Sequence, residues 1–306
     1  MELTSLFETC FVILALMLVG FVGARRGLYP AGFSKAVSAL IVNIFLVATI
    51  FQSICGNSAG LTAAELPHVL WIVTLMILLC YALGFLSLRL VGKRMHADTS
   101  LEISISVMNN LLIGLPILQA VYGPTAVLFV GLTSLPFNLL LYTYGVWRLS
   151  SGGNIRSFRL RDIFSPCVLA TLAALVFFVL GLPVPGAVNR LFSAVGACTM
   201  PLSMIVIGIT MGSENLREAV RDRRVYFLAF VRLILAPALT WLLLRGLTEN
   251  ALLLKSCVVV AGCPTGIVIP ILSLRGGRDP MLASNAVIVT TLLSLITLPV
   301  LLVLLG

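Results

Sequence analysis

A chain of 306 residues that is 60% hydrophobic and only 10% charged, with a mean hydropathy of +1.13, lacks the polar surface of a water-soluble domain. Its 20 Lys and Arg against 11 Asp and Glu leave a net charge of +9. The basic residues gather beside apolar runs, so the excess reads as a topology signal, and no nucleic-acid partner is expected.

Apolar stretches near the roughly 17 to 25 residues needed to cross hydrocarbon fall at about 8–24, 35–55, 68–91, 101–121, 125–147, 163–181, 187–211, 224–245, 252–274 and 281–304. The expectation is an all-α integral membrane protein of ten transmembrane helices with short connections. Glu2 and Glu8 open the first run and Arg25 and Arg26 follow it, the reverse of a secretory signal, so a retained first helix is expected. Alternate connections collect Arg25, Arg26 and Lys35; Arg89, Lys93 and Arg94; Arg148, Arg156, Arg159 and Arg161; Arg217, Arg221, Arg223 and Arg224; and Arg275 and Arg278. The other side keeps Arg190, Arg245 and Lys255. Basic residues accumulate on the cytoplasmic side, which predicts a multi-pass protein with both termini periplasmic or extracellular.

Residues 1–150 and 160–306 carry five spans each. An odd number makes the second copy enter from the opposite side, an inverted repeat. Gly27-Leu28-Tyr29-Pro30 echoes Gly181-Leu182-Pro183-Val184-Pro185, Pro116-Ile117-Leu118 returns as Pro270-Ile271-Leu272, and the spans that follow contain Pro136 and Pro299. Gly208 and Gly212 have the spacing that lets helices approach closely, read as packing within the chain. Cys10, Cys55, Cys80, Cys167, Cys198, Cys257 and Cys263 show no metal-ligand spacing and are expected as small buried side chains; neither a metal nor a cofactor is expected.

Two spans are interrupted, at Met108-Asn109-Asn110-Leu111-Leu112-Ile113-Gly114-Leu115-Pro116 and at Gly262-Cys263-Pro264-Thr265-Gly266-Ile267-Val268-Ile269-Pro270. Hydrocarbon cannot satisfy the backbone groups that such breaks free, so they persist only inside protein or against a wet cavity. A pair at matching positions of two halves points to a secondary-transporter site. Met108, Pro116, Pro264 and Pro270 are the candidate breaking residues, and Asn109, Asn110, Gly114, Thr265, Gly266 and Ile267 the candidate substrate contacts. Half-helix N-termini attract anions, and the two amides add neutral donors and acceptors. Arg232, inside the eighth span, is expected to pair with a helix C-terminus, to snorkel, or to lend positive potential to an anionic substrate. The carboxylates map to helix ends or connections; Glu102 is expected to be solvated at the cytoplasmic mouth of its span, and His68 and His96 are terminal. No catalytic residues are expected, since the spans lack the Ser–His pairs, metal ligands or axial His of a membrane enzyme.

These motifs bring a resemblance into view. Asn109 through Pro116 is similar to the first crossover of the auxin efflux carrier family, with Met108 in place of a proline, and Pro264-Thr265-Gly266-Ile267-Val268 with Pro270 looks like the second. Val47 stands where relatives often carry proline, and the large loop of long plant members is absent. The resemblance implies a compact bacterial-type carrier of small organic acid anions, such as malate, malonate or auxin-like acids, in the inner membrane. It implies a homodimer in which a scaffold (about 1–60 and 163–215) flanks a transport domain (about 68–150 and 224–306) that moves as an elevator, with helices 4 and 9 crossing as broken helices. A sodium-coupled carrier of bile-acid type and a transport-inactive sensor are the alternatives.

Overall fold

The computed structural model describes residues 3–30, 32–56, 61–96, 98–150, 163–214 and 216–306, with side chains from Glu8 onward except Cys10. The expectations for the Cys10 side chain and for the connection holding Arg156, Arg159 and Arg161 lie outside the described residues. Helices account for nearly all of what is described: α1 (Leu3–Arg25), α2 (Phe33–Cys55), α3 (Leu66–Val91), α4 in two parts (Thr99–Ser106 and Asn110–Tyr122), α5 (Pro124–Leu149), α6 (Pro166–Val179), α7 (Gly186–Ser213), α8 (Arg223–Leu244), α9 in two parts (Ala251–Ala261 and Ile269–Arg275) and α10 (Met281–Leu305). Among the described residues six helices (α2, α3, α5, α7, α8 and α10) are long and apolar enough to cross a membrane, and shorter apolar helices lie between them. The helix ends fall within a few residues of the expected spans, because polar caps punctuate otherwise uninterrupted apolar sequence. Asp98, Ser165, Asp222 and Asn250 each accept a backbone N–H from the first turn of α4, α6, α8 and α9 respectively.

The glycine echo noted in sequence has a common geometry. Gly27 and Gly181 adopt φ of 71° and 62°. At α1 the Leu28 N–H reaches the Gly23 carbonyl, and at α6 the Leu182 N–H reaches that of Phe177, the same left-handed stop on both helices.

Among the described residues four helices contain a wide π turn, at Ile41–Phe45, Asn110–Gly114, Leu141–Gly145 and Val231–Leu235. Pro116 and Pro237 each follow such a turn by two residues. A proline there has no N–H for the ladder and crowds the preceding turn, and the wide turn relieves both. In α2 the turn is present although position 47 is valine, so the missing proline does not remove the irregularity in that helix.

Packing divides the helices into neighbourhoods. α1 lies along α7, while α2 packs on α6 and α7; α3 packs on the first part of α4 and on α5, and α8 packs on α9 and α10. The α1–α7 approach depends on glycine: a Cβ on Gly208 would stand 1.9 Å from the Met17 carbonyl oxygen, and one on Gly212 would stand 2.8 Å from that of Phe21. The small-residue spacing therefore serves close packing within the chain. Of the described cysteines, Cys80, Cys167, Cys257 and Cys263 are buried, whereas Cys198 is exposed at the irregular turn of α7, against the expectation for that residue.

Candidate functional site at the helix crossing

α4 and α9 both break where Pro, Gly and Asn were concentrated, and the breaks meet. Met108 and Thr265 form an isolated antiparallel bridge. The Asn109 N–H donates to the Pro264 carbonyl at 2.8 Å and the Gly266 N–H to the Val107 carbonyl at 2.9 Å. Two short extended segments thus satisfy each other where neither helix can. Close contact again requires glycine: a Cβ on Gly114 would meet Cys263 Sγ at 3.0 Å, and one on Gly266 would meet Val107 Cγ1 at 3.1 Å.

The four helix ends created by the breaks are treated differently. Several carbonyls at the C-terminal ends are met by donors. Val107 N–H donates to Ile103 O, Thr265 Oγ1 to Ser104 O at 2.9 Å, and Arg232 Nη1 to Ile105 O at 2.9 Å. On the α9 side, Arg232 Nε donates to Cys263 O at 2.9 Å. Arg232 is completely buried. Of the three roles expected from sequence, its contacts are those of a pairing with helix C-termini.

The N-terminal end at Asn110 is open by contrast. The first N–H groups of a helix have no partner in their own helix, and no side chain caps this one. Beside it lies a small cavity of about 30 Å³ between α4, α7, α10 and the start of α2, whose polar lining includes Ser38, Asn109, Thr210 and Thr291, with Glu214 at the end of α7. The rest of its lining, including Leu112, Ile113, Val206, Ile207, Ile267 and Val287, is apolar. Asn109 is only 6% exposed, and its carboxamide has no hydrogen-bond partner among the described residues. Buried amides are normally satisfied; this one lines a polar-edged cavity with room for ordered water.

The neighbouring amide does something else. Asn110 Nδ2 donates to Thr133 Oγ1 at 3.0 Å, tying α4 to α5. Thr265 is turned into the protein, receiving nothing from the cavity: its N–H donates to Thr290 Oγ1 at 3.0 Å and its hydroxyl to Ser104 O. Ile267, 36% exposed, does line the cavity. Met108 and Pro264 lie in the paired extended segments, and Pro270 is the second residue of its half-helix, where a missing N–H costs nothing. Pro116 requires a correction. The chain breaks at Val107–Asn109, and Pro116 sits inside the continuous stretch Asn110–Tyr122, absorbed by the wide turn before it. Ser38, Thr210 and Thr291 carried no sequence signal, being single hydroxyls in apolar helices that only folding brings to one cavity.

Glu102 is the second correction. It is fully buried rather than solvated, because Arg148 of α5 pairs with it through Nε (3.1 Å to each carboxylate oxygen) and Nη2, and the Tyr144 hydroxyl donates to it. A sequence shows helix ends but not which helices supply counter-charges; here a residue 46 positions away does.

An apolar all-helical chain with two broken helices paired at their breaks beside a small cavity has the construction of a multi-pass membrane transporter. The chain belongs to the auxin efflux carrier family, whose model, described as membrane transport protein, matches residues 5–156 and 153–302. An uncharacterized transporter of Methanothermobacter thermautotrophicus is 23% identical over 294 residues, 95% of this chain and 96% of its own. The uncharacterized transporter YfdV of Escherichia coli K12 is 23% identical over 281 residues, covering 87% and 88%. A putative malonate transporter of Rhizobium meliloti is 25% identical over 138 residues, 45% of this chain and 42% of that one. The family and these relatives identify a transporter rather than an enzyme.

Proposed function

We infer that this protein is a secondary carrier of small organic acid anions, mono- or dicarboxylate, and that the anion binds in the cavity at the Asn110 end of the broken helix. The observation that carries this reading is Asn109: a buried carboxamide without a partner among the described residues, at an uncapped half-helix N-terminus, lining a small cavity of about 30 Å³ that the anion's entry would have to widen. The amide and the first-turn N–H groups are donors suited to a carboxylate, while the apolar lining suits the body of a small acid. The relative named a putative malonate transporter supports the same class. Asn110, Gly114, Thr265 and Gly266 hold the crossing in shape, and Ile267 lines the anion's path.

The reading includes ten transmembrane helices as two inverted five-helix repeats, supported by the matching stops at Gly27 and Gly181 and by paired breaks at corresponding positions. In it, the helices near 1–60 and 163–215 form the scaffold of a homodimer, and those near 68–150 and 224–306 carry the site across the bacterial inner membrane by elevator motion, with both termini periplasmic. Purified protein titrated with a panel of mono- and dicarboxylates in a thermal-shift assay, followed by flux in proteoliposomes, tests it. The expected result is saturable stabilisation by at least one acid that Asn109→Ala shifts to higher acid concentration. Stabilisation by none of the panel, with no flux, rejects the reading.

A further inference from the structure

Arg232 is a full positive charge at zero exposure, and the three ion pairs among the described residues do not include it. Its hydrogen bonds go to two backbone carbonyls, those of Ile105 and Cys263, with Nη2 unpaired among the described residues. A buried charge without a counter-charge is ordinarily prohibitive. Here the counter-charge is distributed over two helix ends: Ile105 is in the last turn of Thr99–Ser106 and Cys263 lies just past Ala251–Ala261. Each helix C-terminus is equivalent to roughly half a negative charge, so two converging ends sum to about one, the charge of a single guanidinium. The placement is built into α8, where the wide turn Val231–Leu235 carries Arg232. Facing carbonyl ends of broken helices are also where crossed-helix transporters hold mobile alkali cations.

We propose that Arg232 is a fixed counter-ion that occupies the cation position between the two half-helix C-termini, so that the crossing assembles without a bound sodium ion. The arrangement cancels the negative ends and leaves the N-terminal ends as the unopposed charge at the crossing. It also keeps one positive charge with α4, α8 and α9. Removing the guanidinium would turn its place into a vacancy for a small monovalent cation.

The test is thermal unfolding of the full-length protein in detergent, with sodium, lithium or guanidinium chloride at millimolar concentration against choline chloride at equal ionic strength. The wild type is expected to unfold at one temperature in all four salts. Arg232→Ala is expected to unfold several degrees lower in choline and to be restored, saturably, by at least one of the smaller cations. Saturable stabilisation of the wild type by sodium, or an Arg232→Ala midpoint that is the same in every salt, overturns the proposal. Should Arg232→Ala fail to accumulate, Arg232→Lys against Arg232→Met decides: lysine keeps charge and methionine only bulk, so the lysine variant is expected to be the more stable, and equal stability overturns the proposal. No organic acid enters these measurements, so their failure and that of the carrier reading are separable.

Discussion

Met108 and Thr265 face each other across one antiparallel bridge that joins the two broken helices at their breaks. Thr265 is tied on both sides of that bridge, through its N–H to Thr290 and through its hydroxyl to Ser104 O. Thr265→Val keeps the shape and removes the hydroxyl bond, leaving a buried carbonyl without that donor. A loss of about 1–3 kcal/mol is expected. Thr265→Ser should retain most of the stability, and unfolding midpoints of the two variants measure the difference.

Asn109 and Asn110 are adjacent in sequence and opposite in role. Asn109→Ala should leave the unfolding temperature without ligand nearly unchanged, since its carboxamide has no partner among the described residues. It should weaken binding of the stabilising acid by about 10- to 100-fold, the value of a hydrogen bond to a charged group, roughly 1.5–3 kcal/mol. Asn110→Ala should do the reverse in kind, costing about 1 kcal/mol of stability through the lost bond to Thr133. Ligand titration and ligand-free melting on both variants separate the two effects.

Glu102 and Arg148 predict a strongly coupled pair. Glu102 is fully buried, whereas the Arg148 side chain retains 24% exposure. Glu102→Gln leaves a guanidinium that water reaches in part, so a loss toward the low end of the 3–5 kcal/mol range for broken buried pairs is expected. Arg148→Met strands the buried carboxylate and should cost more. A double-mutant cycle checks this: a coupling energy near zero would refute the pairing.

Gly208 is a position at which one added methyl should hurt strongly between α1 and α7. Gly208→Ala is expected to destabilise by about 1–3 kcal/mol through overpacking against the Met17 carbonyl. Gly246→Ala, where a Cβ meets nothing within 4 Å, is the matched control and should be close to neutral. Comparison of the two melting curves tests whether helix approach, rather than glycine itself, sets the cost.

The sequence by itself determined the class of the molecule, its helical segments and the location of both breaks. Membrane-spanning helices are specified locally: twenty or so apolar residues bounded by caps leave no alternative for the backbone, and Pro, Gly and Asn inside such a run mark its failure. Tertiary structure alone decided what each polar group meets there. Asn109 is open to a cavity while Asn110 is spent on Thr133; Glu102 is paired with Arg148 rather than solvated; Arg232 serves two carbonyls more than a hundred residues apart in the chain. These outcomes depend on which helix faces lie together, a property of distant pairs, and an apolar sequence whose helices are hydrophobic all round holds little record of facing.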